Sequence, residues 1–284
     1  MMKITSVSIR QNTIPLCLPH HAGCDASVLL SVNPDGGETE RDAPPNNPSL
    51  HGFEVVNVAR AALEQSCPRT VSCADILAFA ARDSVNLTGG NAFYQVPADR
   101  RDGSISTNDS AFGLPSPNLT ADGLIQSFKN KSLTAEEMVI LSGAHTLGRS
   151  HCDSFIFKNR ERLASGTISP TYQALLEALC PTKTAQLNLG LHFSDDQLVR
   201  NTTLKATVDA FAVNEMLWKE KFIAAMIKMG NIEPKTGAQG EIRLNCSVVN
   251  PPPPSSDTSV RVTELLRPVS DDNATDGDDE VATS

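Results

Sequence analysis

Apolar residues recur at intervals of three and four positions in several stretches of the chain, which is the spacing of helices with one buried face. One such stretch opens at Ser72 and closes near Gly89 and Gly90, and two others are equally regular, 51–66 and 206–229. Strand signals are few and short, and 240–244 is the best candidate. The pattern predicts a mainly α-helical protein with long irregular connections.

The pattern changes after residue 250. A proline run occupies 251–254, and the stretch 271–280 is acidic with almost no apolar residues. Such a segment cannot bury enough apolar surface to offset the entropy lost on ordering. We therefore predict a disordered tail over 251–284, and a solvated tail without a role is the simplest interpretation of it.

Composition and charge narrow the function classes. The chain has 284 residues, of which 40% are hydrophobic, and 24 Lys and Arg against 33 Asp and Glu give a formal net charge of −9. An acidic balance argues against general binding of nucleic acids or anionic membranes, because both need basic patches. No uninterrupted apolar run reaches the roughly 18 residues that span a bilayer. We expect a globular protein with neither a nucleic-acid nor a membrane partner.

The cysteines and the glycosylation sequons disagree with the N-terminal sequence about the compartment in which the protein folds. Seven N-x-S/T sequons and no C-x-x-C pair favour a secretory, disulfide-forming compartment over a zinc site. Residues 1–19, however, lack the compact apolar core of a signal peptide, and the number of cysteines is odd. Either the protein is cytosolic or its natural N-terminus is missing. The cysteines are Cys17, Cys24, Cys67, Cys73, Cys152, Cys180 and Cys246.

The most informative segment is 138–152, which reads MVILSGAHTLGRSHC. Thr134 and Glu137 form a capping box that leads into its apolar helix, and the helix breaks at Gly143 before His145. A histidine that leaves an apolar helix in a turn of small residues is well placed to offer a ring nitrogen to a metal in a buried pocket. A lone histidine in this setting is more often a core residue that donates to a backbone carbonyl.

This histidine does not stand alone, because six motifs resemble those of the class III plant peroxidases and follow in the family's order. The resemblance covers about residues 22–250, and it implies the mainly α, plant-type heme peroxidase fold with heme between two helical halves. It divides the chain into an atypical N-terminal segment, 1–21, a peroxidase domain, 22–250, and the tail, 251–284. The motifs are GCDASVLL (23–30), CPRTVSCADILAFAARD (67–83), VPADRRDG (96–103), LPSP (114–117), LSGAHTLG (141–148) and MGNIEPKTGAQGEIRLNCSVVN (229–250).

The resemblance implies a donor:hydrogen-peroxide oxidoreductase that binds heme b and oxidises small phenolic donors. It also implies a monomer that is secreted or vacuolar. His145 matches the axial heme ligand, and Asp195 matches the carboxylate that hydrogen-bonds the other ring nitrogen, although Asp196 leaves that assignment open by one residue. Such a carboxylate makes the imidazole strongly electron-donating, which favours cleavage of the peroxide O–O bond.

The distal side departs from the family. An R-L-x-F-H-D-C segment supplies the family's acid–base histidine and its arginine, and this chain has CLPHHAGC instead. Cys17 falls at the histidine and Leu18 at an aspartate that binds calcium, and no arginine lies at the matching place. His20 and His21 are out of register. The fold is therefore expected to be incomplete at the N-terminus, with no identified distal catalytic residue.

A second departure lies between Cys180 and Ser194, where only thirteen residues replace a longer family segment that supplies most ligands of a proximal calcium. Two abrupt gaps favour truncation over divergence.

The resemblance implies further site residues. Two of the family's disulfides keep both cysteines, Cys73 with Cys246 and Cys152 with Cys180. Pro115 matches the residue that lines the entrance for aromatic donors. The calcium positions matched in this chain are His21, Gly23, Asp25 and Ser27, with the supporting Glu40, on the distal side and Thr146 on the proximal side.

Four functions compete. The first is a heme peroxidase with impaired activity, because its distal histidine and arginine are absent. The second is a non-catalytic heme-binding or cell-wall glycoprotein, and the third is a truncated product that does not fold. A cysteine hydrolase that uses Cys17 with His20 or His21 is the least supported, because nothing supplies an oxyanion hole or an orienting residue.

Overall fold

Helices dominate the part of the chain that the computed structural model describes, which is residues 24–47, 50–87, 93–146, 149–182, 185–187 and 192–252. The predicted mainly helical fold is confirmed. A short antiparallel pair, β1 (Ser150–His151) and β2 (Gln186–Leu187), accompanies the helices. The helices are α1 (Phe53–Ser66), α2 (Cys73–Val85), α3 (Ala121–Lys129), α4 (Ala135–Ser142), α5 (Ile156–Ala164), α6 (Pro170–Leu179), α7 (Phe193–Arg200), α8 (Thr202–Ala212) and α9 (Glu215–Met229).

Polar side chains fix where several of these helices begin. Ser72 accepts a hydrogen bond from the Asp75 amide at the start of α2. At the start of α4, Thr134 and Glu137 form the predicted capping box, in which each side chain accepts from the other residue's amide. These bonds satisfy amides that the first turn of a helix leaves without partners.

The predicted long helix over 206–229 is wrong, because two helices occupy this stretch. α8 ends at Ala212 and α9 begins at Glu215. Asn214 lies between them in a non-helical conformation, and its side chain accepts from the Leu217 amide at 3.0 Å. Asparagine competes for backbone amides in this way, so it caps a new helix more readily than it continues an old one.

The predicted strand over 240–244 is also wrong. Glu241 forms a single antiparallel bridge with Asp102, in which each amide donates to the other's carbonyl. Gly240 has a φ of +61°, and a Cβ there would lie 2.3 Å from the Asp102 carbonyl oxygen. This left-handed glycine bends the chain out of strand geometry just before the bridge, and after it the Arg243 amide donates to the Asp102 side chain at 2.9 Å instead of continuing a ladder.

Three apolar clusters form the interior. One surrounds α4, whose residues 138–141 are all buried, and draws on α3, α8 and α9. A second packs α1 and α2 against residues 26–29, and a third lies around Phe155 and Leu176. The first cluster matters most for function, because α4 carries the histidine singled out in the sequence.

The second and third clusters each contain one disulfide. Cys73 at the start of α2 is bonded to Cys246, and Cys152 is bonded to Cys180 after α6. Their Cα atoms lie 5.7 Å and 5.8 Å apart, as is usual for such bonds. Within the described ranges, no helix has both the length and the apolar character that a bilayer crossing requires. The predicted tail, 251–284, lies outside the described residues except for Pro251 and Pro252.

Replacing Gly143 by alanine should destabilise the end of α4. A Cβ at this position would lie 2.6–2.9 Å from the indole ring of Trp218, whose Nε1 donates to the Ile140 carbonyl. Relief requires moving a ring that stacks on Phe222, so we expect a loss of about 1–3 kcal/mol in the free energy of unfolding by urea.

The matched control for this substitution is Gly123→Ala in α3. The nearest atom to a Cβ at Gly123 would be the end of the flexible Leu119 side chain, at 3.2 Å, and the Leu119 Cβ and Thr120 Oγ1 atoms would lie at ordinary contact distances of 3.5 Å and 3.6 Å. Alanine is also the better helix former, so this variant should be as stable as the unmodified chain or slightly more stable. Equal stability of the two variants would contradict the close approach of Trp218.

Candidate active site

His145 lies in the 3-10 turn Gly143–Thr146, directly after α4. The apolar residues of α4 anchor the helix in the core, and Gly143 lets its end approach Trp218 closely. The histidine side chain is therefore held by a rigid element although 46% of its own surface is exposed. The ring is therefore accessible to a ligand.

The carboxylate that faces His145 belongs to Asp195, in the first turn of α7. Its Oδ1 lies 2.9 Å from His145 Nδ1. The neighbouring Asp196 points elsewhere and forms ion pairs with Arg162 and Arg200. Of the two aspartates that the sequence left open, the structure places Asp195 at the histidine.

The pair sets the protonation and orientation of the imidazole. Burial by itself lowers the pKa of His145, but the hydrogen bond and the charge of Asp195 outweigh it, and the net direction is upward. Because Nδ1 is engaged with the carboxylate, Nε2 is the ring nitrogen that remains for a metal. Metal-binding histidines are commonly fixed by a carboxylate in this manner.

His192 is a neighbour of this pair that sequence reasoning missed. Its ring centroid lies 5.4 Å from that of His145, and its ring packs edge-on against Phe155 at 6.5 Å. Burial lowers the pKa of His192, and the charge of His145 adds to this effect. The Nδ1 atom of His192 is buried and has no hydrogen-bond partner within the described part of the chain. No motif marks this residue, so only the packing of α7 reveals it.

The donor set fits heme better than a bare ion. Among the described residues, no group of three His, Cys, Asp or Glu side chains is arranged to hold a metal ion. A single imidazole with one nitrogen held by a carboxylate suits an iron that a porphyrin already binds on four sides. The residues present therefore fit the axial side of a heme.

The LPSP motif (114–117) lies beside α7, the helix that carries Asp195. Pro115 is half-buried and follows the 3-10 segment Asn108–Gly113. The Pro117 carbonyl accepts a hydrogen bond from the Ser194 amide at 3.1 Å, which ties this loop to the start of α7. The motif that carries the predicted donor contact is thus connected to the element that carries Asp195.

Three predicted calcium positions fall together and three are not described. Asp25, Ser27 and Glu40 are buried in contact with one another, whereas His21 and Gly23 lie outside the described residues, as do Cys17, Leu18 and His20. The Thr146 side chain is also outside the described atoms. The Ser27 hydroxyl donates to both Glu40 oxygens at 3.0 Å, and the Ser27 amide donates to Asp25 Oδ1 at 3.1 Å.

A protein cation already faces this cluster. Asp25 Oδ2 forms an ion pair with the Lys235 ammonium at 3.3 Å. Burial raises the pKa of Asp25, while the hydrogen bonds from Ser27 and the charge of Lys235 oppose the rise. A calcium ion on Asp25 would lie within a few ångströms of this ammonium and would be repelled by it. Calcium at Asp25 and Ser27 stays a prediction, and among the described residues the cation that faces Asp25 is Lys235.

Replacing Glu40 by glutamine should remove a pH dependence of stability. Burial raises the pKa of Glu40 from 4.5 to about 7, against the hydrogen bond from Ser27 and with help from the charge of Asp25. The folded protein thus keeps a proton that the unfolded chain releases. This stabilisation is complete below about pH 4.5, is lost as the pH rises through about 7, and amounts to about 3 kcal/mol in total.

Urea unfolding at about pH 5 and about pH 8 measures this effect. Glu40→Gln stays neutral at both, so the difference between its two free energies of unfolding should be smaller than in the unmodified chain. Glu54→Gln removes an exposed carboxylate in the first turn of α1 and serves as the control. An unchanged pH difference in Glu40→Gln would contradict the argument.

Comparison with known proteins agrees with this geometry. The sequence model of the peroxidase family matches residues 15–214. Similar proteins include Peroxidase 1 of Zea mays, 52% identical over 273 aligned positions that cover 84% of this chain and 74% of the maize protein. Peroxidase 5 of Vitis vinifera is 46% identical over 80% of this chain and 78% of its own length. Peroxidase 72 of Arabidopsis thaliana is 39% identical over 80% and 76%.

The alignment with the maize protein contains more positions than 84% of a 284-residue chain supplies, so some positions of the maize protein have no counterpart here. Identity remains above half over the shared length, however, which is far beyond what unrelated sequences reach. The family match, the plant relatives and the helical fold together show that this chain belongs to the class III plant peroxidases.

Proposed function

We propose that this chain binds heme through His145 and acts as a peroxidase whose reaction with hydrogen peroxide is strongly impaired in the sequence as it stands. The observation that carries the proposal is the His145–Asp195 pair, joined at 2.9 Å at the end of a buried helix. Enzyme class follows from the family, whereas heme binding and the degree of impairment are proposed here.

The protein's own residues supply the proximal half of the chemistry. Asp195 holds the proton on His145 Nδ1 and raises the basicity of the ring, so Nε2 becomes a strong donor to iron. Heme bound there would supply the iron at which peroxide is reduced while phenolic donors are oxidised. Gly143 and α4 fix the position of the ring, and the loop of Pro115 would border the path of the donor.

The impairment rests on the distal residues. Cys17 stands where the family's acid–base histidine would be, and no arginine lies at the matching place. A thiol with a pKa near 8.5 in water is largely protonated at neutral pH, so little of it can accept the proton of peroxide, and it lacks the second nitrogen of imidazole.

Compartment and partners are inferred from the same set of features. The two disulfides and the sequons favour a secreted or vacuolar protein. We infer hydrogen peroxide and small phenolic donors as partners and a monomer as the working state, all by resemblance. Calcium at Thr146 stays a prediction, since the side chain is not described.

Reconstitution with hemin tests the proposal. The oxidised, full-length chain should take up hemin and give a Soret band typical of one axial histidine, with turnover of guaiacol only slightly above that of free hemin. Full turnover would show that the distal side is complete by another route. Heme binding with no turnover at all selects the second candidate, a non-catalytic heme-binding glycoprotein, and failure to bind heme selects a truncated product.

A further inference from the structure

The cluster of Asp25, Ser27 and Glu40 lies in the half of the protein built on α1 and α2, and it contains none of the residues proposed to bind heme. Asp25 is only 1% exposed. A Cβ on Gly103 would lie 2.2 Å from Asp25 Oδ2, so the backbone closes in directly on the carboxylate. An ionised carboxylate that is buried and enclosed this closely by backbone needs a cation beside it.

Lys235 is that cation among the described residues. Its ammonium lies 3.3 Å from Asp25 Oδ2, and the two residues are 210 positions apart in the sequence. The side chain is 29% exposed, and its Cδ atom lies against Gly240, where an added Cβ would approach within 3.2 Å. The Lys235 carbonyl accepts a hydrogen bond from the Arg101 amide at 2.8 Å. The Lys235 backbone is thus held by Arg101, and its ammonium is held by Asp25.

The other buried cation nearby is already engaged. The Arg243 guanidinium donates to the carbonyls of Ala26 and Cys246, at 2.6 Å and 2.8 Å. Its Nε lies 3.8 Å from Asp102, whose carboxylate also accepts from the amide of Arg243 itself. Arg243 lies closest to Asp102, and its charge also acts on Asp25 and Glu40, but the ion pair made directly with Asp25 is that of Lys235.

We propose that the Lys235 ammonium is the resident cation of the Asp25 carboxylate and takes the structural place that calcium holds by resemblance. A lysine supplies one positive charge without the six to eight oxygen ligands that calcium requires. A chelator can remove a bound calcium ion but cannot remove a lysine, because the lysine belongs to the polypeptide. The stability of this half of the protein is consequently independent of calcium.

The test compares thermal unfolding in EGTA and in millimolar calcium, for the full-length chain after refolding with hemin. The midpoint of the unmodified chain should be the same in both. Lys235→Met leaves a buried carboxylate without its partner and should lower the midpoint by about 5 °C or more. Calcium should restore part of this loss in Lys235→Met, because the carboxylate is then open to another cation.

Two further variants make the result specific. Lys205→Met removes a lysine of the exposed pair with Asp209 and should change neither the midpoint nor its response to calcium. Adding Asp25→Asn to Lys235→Met removes the buried charge, so the double variant should unfold at a higher temperature than Lys235→Met and ignore calcium.

The proposal is overturned if calcium raises the midpoint of the unmodified chain and Asp25→Asn abolishes that rise, or if Lys235→Met unfolds like the unmodified chain. Should Lys235→Met not fold, calorimetric titration of the unmodified chain and of Asp25→Asn with calcium decides the matter. Equal heats in the two support the proposal, and a binding heat present only with Asp25 overturns it. None of these readouts depends on peroxidase activity, so they stand apart from the function proposed above.

Discussion

Replacing His145 by alanine should abolish stable heme uptake. The imidazole is the one described side chain at the end of α4 that offers a ring nitrogen with its partner nitrogen fixed by a carboxylate. Removing a partner that orients a ligand typically weakens metal binding by about 10–100-fold, and removing the ligand itself should cost more. Titration with hemin, followed by the Soret band and by retention on gel filtration, measures the loss.

Three comparisons make this result interpretable. Asp195→Asn keeps the His145 ligand but weakens the hydrogen bond that orients it. Its affinity for heme should therefore lie between those of the unmodified chain and of His145→Ala. His51→Ala removes an exposed histidine just before α1 and should bind heme normally. Added imidazole should restore part of the spectrum of His145→Ala, because it can replace the missing ring. A variant without His145 that binds heme with an unchanged spectrum would show that the ligand lies elsewhere.

The reaction of the heme-loaded chain with hydrogen peroxide should be slower than in a complete family member by a very large factor. Under the proposed function, His145 and Asp195 donate electron density, while no residue matches the family's base for the proton of peroxide or its arginine for the departing oxygen. Positioned acid–base groups contribute about 10²–10⁴-fold and preorganised donors about 10²–10³-fold. Losing both should slow this step by about 10⁴–10⁷-fold.

A graft can recover the missing step. Inserting a family-type R-L-x-F-H-D-C segment ahead of Ala22 should restore rapid reaction if the remaining scaffold folds. The same graft with alanine at its histidine serves as the control and should stay slow. Stopped-flow absorbance in the Soret region, recorded after mixing with peroxide, measures the rate in each case. A rapid reaction of the ungrafted chain would mean that His20, His21 or an arginine from outside the matching place reaches the distal side.

The sequence by itself was sufficient wherever the signal was local. The capping box of Thr134 and Glu137, the apolar run that follows and the break at Gly143 predict α4 and the place of His145, and all of these are interactions between near neighbours. Family motifs extended this reading to the fold class, since a motif preserves a local pattern together with its outcome in three dimensions.

Local sequence patterns gave the wrong element where a single residue interrupts a helix or a strand. The apolar spacing over 206–229 continues through Asn214, yet the chain begins a new helix there, because one side-chain hydrogen bond to Leu217 decides between extending a helix and restarting it. At 240–244 the sequence suggested a strand, but a left-handed glycine precedes the single bridge and a bond from the Arg243 amide to the Asp102 side chain follows it, so no ladder forms.

Only the tertiary structure decided which distant groups meet. Asp195 and Asp196 are chemically identical neighbours, and the orientation of α7 turns one toward His145 and the other toward Arg162 and Arg200. Lys235 reaches Asp25 across 210 positions, a contact that no periodicity encodes. Successive residues of a helix point about 100° apart, and charges interact through space, so such pairings depend on how helices pack and not on spacing along the chain.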